Sequence, residues 1–149
     1  MRVVVDSSIL FSAFITPSGK TANILLNPSL VFEKYCCHFL IVELFKHQPK
    51  IIQCSRLDEE EVLEVLYTIL KKIDFINDTQ IPIEIWEEAN ELTIDVDKAD
   101  KAHVALTLHI EDSYLWTGDK PLIKELKIKG FERVLTTDEL LRKLIENSN

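Results

Sequence analysis

Three consecutive valines, Val3-Val4-Val5, lie near the start of the chain and stop at Asp6. An unbroken β-branched run of this kind predicts a strand covered on both faces, from Arg2 to Val5. Ser7 to Phe14 then repeats its apolar residues at helical spacing until Thr16-Pro17-Ser18-Gly19 breaks the pattern. A helix resumes over Thr21 to Leu26 and stops at Asn27-Pro28. Val31 to Cys37 predicts a second strand. Phe39 to Gln53 predicts a helix bent or interrupted near Pro49, where the ring removes a backbone donor. Asp58 to Ile73 is the clearest helix, with an acidic first turn and Lys71-Lys72 placed at its end to complement the macrodipole. Its apolar stripe is Val62, Leu63, Leu66, Ile69 and Leu70. Phe75-Ile76 suggests a short third strand, and Pro82 precedes a helix from Ile83 to Leu92. Lys98 to Ile110 forms another helix and Tyr114 to Thr117 a fourth strand. Pro121 to Lys127 is a helix ended by Gly130, and Arg133 to Leu135 a fifth strand. The last helix runs from Asp138 to Glu146 with Thr137 as its N-cap.

Short strands alternating with helices imply an α/β fold, a mostly parallel sheet with helices on both faces. No repeat, low-complexity tract or linker interrupts the pattern, so residues 1–149 are expected to form one domain. Ligands of such sheets bind beyond the carboxyl ends of the strands, where strand order reverses. Asp6 and Asp119 both fall at predicted strand-to-helix junctions. If the first and fourth strands are neighbours, these two acids face each other across that crevice.

Glu43 and Asp100 also stand beside apolar residues, Leu40-Ile41 and Leu44 for the first, Val104-Ala105-Leu106 for the second. Four half-buried carboxylates gathered together would repel, each pair by roughly 3 kcal/mol at about 5 Å and an effective dielectric near 20. A divalent cation turns that repulsion into attraction, and hard Mg²⁺ or Mn²⁺ matches an all-oxygen donor set. Either aspartate alone could instead cap the helix that follows it, and Glu43 could be a solvated edge residue. Asp97, three residues before Asp100 and on the same helical face, competes with it for the third position and is otherwise an outer acid.

The formal net charge of −8 argues against a broad nucleic-acid-binding surface. Much of that charge, however, belongs to Asp58-Glu59-Glu60-Glu61 and to Glu84, Glu87, Glu88 and Glu91, on predicted solvated helix faces. Lys46, Lys98, Lys101, Lys120 and Lys124 flank the four acids instead, a rim suited to a phosphate backbone. Cys36, Cys37 and Cys54 are odd in number and lack metal or disulfide spacing, which suggests free thiols in a reducing compartment. With no charged and apolar leader at the N-terminus and no long apolar run, a cytoplasmic location is expected.

Several segments together carry a family resemblance. These are Val4-Val5-Asp6-Ser7-Ser8, Val42-Glu43-Leu44, Asp100-Lys101-Ala102-His103-Val104-Ala105-Leu106, Leu115-Trp116-Thr117-Gly118-Asp119-Lys120-Pro121-Leu122 and Val134-Leu135-Thr136-Thr137-Asp138-Glu139-Leu140. In this order the chain resembles the PIN-domain family of metal-dependent ribonucleases over nearly its whole length. The resemblance implies a Rossmann-like α/β/α sandwich whose five strands are ordered 3-2-1-4-5. It implies that Asp6, Glu43, Asp100 and Asp119 form a catalytic cluster holding Mg²⁺ or Mn²⁺. Ser8 matches the small polar position after the first acid and Thr117 the hydroxyl before the last, both placed to orient a carboxylate. Three features depart from the family pattern, the first being Lys98 and Lys101, which sit unusually close to the acids and would partly neutralise them. Ala102 stands where a proline is usual, and His103 where an apolar or aromatic residue is usual; packing with partial exposure is expected for His103. Trp86 and Trp116 are expected in the core.

The function implied is an endoribonuclease acting on single-stranded or loop RNA through metal-activated water. Within the family, the toxin of a VapC-type toxin–antitoxin pair is the leading reading, with a small antitoxin and a homodimer as expected partners. The alternative is a non-toxic PIN-like protein that processes or binds RNA with weak or no nuclease activity. A phosphatase using Asp6 as nucleophile would need a second aspartate two residues on, where Ser8 stands.

Overall fold

The computed structural model describes residues 1–147. Five parallel strands are joined by eight helices. Strand β1 spans Arg2–Val5, β2 Glu33–Cys37, β3 Asp74–Ile76, β4 Ser113–Trp116 and β5 Val134–Leu135. Helices α1 (Ser7–Ile15) and α2 (Lys20–Leu26) follow β1, and α3 (Phe39–Ser55) and α4 (Glu59–Leu70) follow β2. A 3₁₀ turn at Asp78–Gln80 and helices α5 (Ile83–Thr93) and α6 (Asp100–His109) lie between β3 and β4. Helix α7 (Lys120–Ile128) links β4 to β5, and α8 (Thr137–Asn147) comes last.

The sheet order is β3-β2-β1-β4-β5, with every pairing parallel. This is the expected α/β/α sandwich. Side chains alternate between the faces of a strand, so Val3 and Val5 join one core cluster and Val4 the other. The first cluster is closed by residues of α1, α2, α3, α4 and α8, the second by α5, α6 and α7. Cys36 and Cys37 divide in the same way, as do Trp116 and Leu115. Leu115 is fully buried, and its replacement by alanine is expected to cost about 3 kcal/mol by lost transfer energy and cavity formation. The check is the urea midpoint of L115A against wild type.

Several local expectations are corrected. Helix α3 runs through Pro49 without interruption. The carbonyl deprived of its donor is that of Phe45, an exposed residue, so water can satisfy it. Helix α4 begins with a capping box between Asp58 and Glu61, but it ends at Leu70, leaving Lys71 as the C-cap and Lys72 outside. Its stripe is only partly covered, with Val62 and Ile69 buried and Leu63 exposed. The last helix is capped by Thr136 rather than Thr137. The Glu139 amide donates to Thr136 Oγ1 at 3.3 Å while Glu139 Oε2 accepts from the Thr136 amide at 2.7 Å. Trp116 is buried, whereas Trp86 is half-exposed against the second cluster. Gly130, at φ 81°, supplies the left-handed residue that ends α7.

Order in the sheet reverses between β1 and β4. The Asp6 amide donates to the Trp116 carbonyl at 3.0 Å, which keeps the two strand ends in register as they leave the sheet. Beyond them lies the crevice.

Candidate active site

Asp6 leaves β1 in an extended conformation (φ −76°, ψ 155°) and is the N-cap residue of α1, yet its side chain makes no capping hydrogen bond. The carboxylate is 1% exposed and held otherwise. Its Oδ2 accepts from Ser8 Oγ at 2.5 Å and from Thr117 Oγ1 at 2.6 Å. The two hydroxyls are themselves 3.3 Å apart, and Ser8 Oγ also receives the Gly118 amide at 3.0 Å. The hydroxyls of Ser8 and Thr117 therefore clamp one oxygen of Asp6, while the other, Oδ1, lies 3.5 Å from Ser7 Oγ and 3.4 Å from His103 Nε2.

Asp119 is half-buried, and its carboxylate does cap α7, with Oδ1 accepting from the Leu122 amide at 2.9 Å. Thr117 Oγ1 accepts the Asp119 amide at 3.0 Å, joining this residue to the Asp6 clamp. Capping thus occupies one oxygen, and Oδ2 makes no hydrogen bond among the described residues.

Glu43 and Asp100 come from opposite helical layers. Glu43 lies in the second turn of α3 beside buried Leu40 and Leu44, and is itself buried rather than solvated at an edge. Asp100 opens α6 and is buried too. Its carboxyl is pushed up to about 7 by burial first and then by the charges of Asp6 and Asp119, with His103 pulling the other way and Asp97 adding a further push. Asp97 is exposed, and its Oδ1 accepts from the Ala99 amide at 2.9 Å, shaping the turn into α6.

His103 is the residue whose place sequence reasoning missed. It is fully buried, not partly exposed. Nε2 lies 3.1 Å from Glu43 Oε2 and 3.4 Å from Asp6 Oδ1, and Nδ1 lies 3.7 Å from Cys37 Sγ. Burial opposes the imidazolium. The hydrogen bonds with Cys37 and Glu43 and the charge of Asp6 outweigh it and hold His103 well above the ordinary histidine range. Its signal was its spacing: one turn after Asp100, on a helix whose next residues are apolar, a buried imidazole needs a polar partner.

The structure therefore brings Asp6 and Asp119 within electrostatic reach of Asp100 and joins Glu43 to Asp6 through one ring nitrogen. No group of three or more His, Cys, Asp or Glu among the described residues forms a ready-made metal cage. The donor chemistry nonetheless fits a hard divalent cation, because Mg²⁺ keeps several waters and uses few carboxylates. Burial first and the charges of Asp6 and Asp119 second raise Asp100, and such a cation would offset both by favouring the ionised form.

Of the basic rim, Lys46, Lys98, Lys120 and Lys124 are exposed and make no ion pair among the described residues. Lys101 turns toward α5, where its ammonium donates to Asn90 Oδ1 at 3.2 Å and lies 5.8 Å from the centre of the Trp86 ring. The acidic residues Glu59, Glu60, Glu61, Glu84, Glu87, Glu88 and Glu91 are exposed on α4 and α5.

No curated protein matches this chain. Among solved structures, the crystal structure of VapBC2 from Rickettsia felis bound to a DNA fragment from their promoter superposes with a TM-score of 0.61. The match covers 91% of this chain and 97% of the other at 15% identity, so it speaks to the fold. The sequence profile of the PIN domain matches residues 4–141, which takes in the end of β1, the other four strands and Asp6, Glu43, Asp100 and Asp119. This chain belongs to the PIN-domain family.

Proposed function

We propose that the chain is a Mg²⁺- or Mn²⁺-dependent endoribonuclease acting on single-stranded or loop RNA. The observation that carries this reading is the gathering of acids beyond β1 and β4, where Asp100 is pushed up first by burial and then by the charges of Asp6 and Asp119. Asp6, Asp100, Asp119 and Glu43 would hold the cation. When bound, the cation would make water more acidic and neutralise charge developing on the scissile phosphate. Ser8 and Thr117 keep Asp6 in one orientation through its Oδ2, so the carboxylate is held without a search among rotamers. Asp97 adds negative charge next to Asp100 without facing the crevice as a buried group. The exposed ammonium groups of Lys46, Lys98, Lys120 and Lys124 are free to meet phosphates of the strand, a role that Lys101 shares less because Asn90 already engages it.

Membership of the PIN-domain family and likeness to the toxin–antitoxin complex support the finer reading, a VapC-type toxin. A small antitoxin is then the natural partner, a homodimer the expected assembly and the cytoplasm the expected location. A groove of about 290 Å³ between α3 and α4, lined by Phe14, Ile41, Phe45, Leu63 and Leu66, suits an apolar partner segment. No helix among the described residues is long and apolar enough to cross a membrane.

The test is cleavage of end-labelled single-stranded and hairpin RNA. Cleavage is expected with Mn²⁺ and is expected to stop when the metal is chelated. Cleavage that continues in chelator would remove the metal mechanism. Expression without a neighbouring gene should arrest growth, and unaffected growth together with cleavage in vitro would favour a non-toxic RNA-processing role.

A further inference from the structure

Glu43 reaches the crevice on a flexible side chain from α3, whereas Asp6 is fixed at the end of β1. A buried carboxylate with several free torsions is costly to hold ionised and costly to order. Its only hydrogen-bond partner among the described residues is the ring of His103, at 3.1 Å. The same nitrogen faces Oδ1 of Asp6, the oxygen outside the Ser8 and Thr117 clamp, which Ser7 Oγ also approaches at 3.5 Å. At the far side of the ring, Cys37 sits against Nδ1 at the end of β2. If Nδ1 accepts from the Cys37 thiol, Nε2 carries the proton. If the ring is an imidazolium, Nε2 carries it as well. In both states Nε2–H donates toward Glu43 and Asp6, and the geometry does not depend on which prevails.

We infer that His103 is a positioning residue: anchored on Cys37 and donating from Nε2, it fixes Glu43 relative to Asp6 and so preorganises the acidic crevice for a divalent cation. The inference rests on the nuclease reading above and adds a determinant of cation affinity that the four acids do not provide. An apolar residue at position 103 could fill the same volume but would leave Glu43 without a partner. A residue that only packs would not couple α3 to the end of β1. His103 does so because one nitrogen serves two carboxylates from different elements.

The experiment measures Mn²⁺ binding by electron paramagnetic resonance titration, with thermal melts as a fold check. H103L is expected to weaken Mn²⁺ by about 10-fold or more, the usual effect of losing a hydrogen bond behind a metal ligand. H103Q, which retains an N–H donor, is expected to stay within about 3-fold of wild type for the same reason. The H103L/E43A double variant should lose scarcely more than E43A alone, because His103 acts through the carboxylate that E43A already removes. Wild-type affinity in a folded H103L would overturn the inference, as would losses that add in full. Should H103L fail to fold, long-range ¹H–¹⁵N spectra of metal-free wild-type protein still decide. A protonated Nε2 on His103 supports the clasp and an unprotonated one overturns it. Wild-type protein that takes up no Mn²⁺ would overturn the nuclease reading and this inference together. Equal uptake by wild type and H103L would overturn the inference alone.

Discussion

Replacing Asp6 by asparagine is expected to lower Mn²⁺-dependent RNA cleavage by about 1,000-fold or more, while the protein still folds. The size of the effect follows from the position of this carboxylate. It lies at the point where sheet order reverses, is 1% exposed, and does not spend itself on capping α1. Its Oδ2 is held by two hydroxyls and its Oδ1 lies against His103 Nε2 and Ser7 Oγ, so the negative charge is fixed in place beside Asp100. Asparagine keeps the shape and an oxygen for Ser8 and Thr117 but removes the charge. Folding should therefore survive, because a neutral group replaces one that repels Asp100. Single-turnover cleavage of a labelled RNA by D6N and wild type, beside their melting curves, provides the measurement. Removing only the Ser8 half of the clamp, as in S8A, should cost about 10-fold, since Thr117 still donates to the same oxygen.

Asp100→Asn is expected to stabilise the metal-free protein near neutral and alkaline pH while destroying activity. The sign follows from linkage. The carboxyl titrates near 7 in the folded protein against an ordinary value of 3.8, so the native state binds its proton more tightly than the unfolded chain does. Below the unfolded value both states are protonated and nothing is lost. As pH rises from there through the folded value, wild-type stability falls, and above the folded value the full penalty is present. Asparagine cannot ionise, so D100N escapes that penalty. Its melting temperature should exceed that of wild type by about 5 °C near pH 8, with the gain shrinking to little near pH 4. Equal differences at both pH values, or a less stable D100N at the higher one, would show that Asp100 is not strained by its neighbours. The same repulsion predicts that added Mn²⁺ raises the wild-type melting temperature more at alkaline than at acid pH, because at acid pH the ion must displace a proton. A site that lowers stability until its ligand arrives is the usual bargain between function and folding.

The fold was legible because both faces of the sheet are covered. Val3-Val4-Val5 and Tyr114 to Trp116 read as continuous apolar runs for the physical reason that the residues at alternate positions enter two different cores. The errors lie at element ends. Thr136 and Thr137 are both competent caps in sequence, and only the reciprocal bonds with Glu139 select the first. Pro49 breaks a pattern on paper, but an exposed helix face lets water take the freed carbonyl.

The acids were legible for a related reason. A charge that ends an apolar strand or sits within an apolar helix stands out against its surroundings, as Asp6 and Asp100 do. Whether Asp6 or Asp119 spends its carboxylate on capping was not readable, since both sit before helices. The structure separates them, with Asp119 capping and Asp6 not. His103 was harder to place. Its partners Glu43, Asp6 and Cys37 come from three other elements, and no local pattern announces a contact that only the tertiary fold creates. Trp86 was misjudged because size favours burial on average, whereas here the ring spans the edge of α5 and meets Lys101.

The central claim is that carboxylates from β1, α6 and the β4–α7 junction converge to bind a hard divalent ion. Crystals of the wild-type protein soaked in Mn²⁺ test it most directly, through the anomalous scattering of the metal. The account predicts a peak in the crevice with oxygens of at least two of Asp6, Asp100 and Asp119 at roughly 2.1 Å, directly or with water completing the shell. An empty crevice at a Mn²⁺ concentration that supports RNA cleavage, or a peak bound elsewhere, would contradict it.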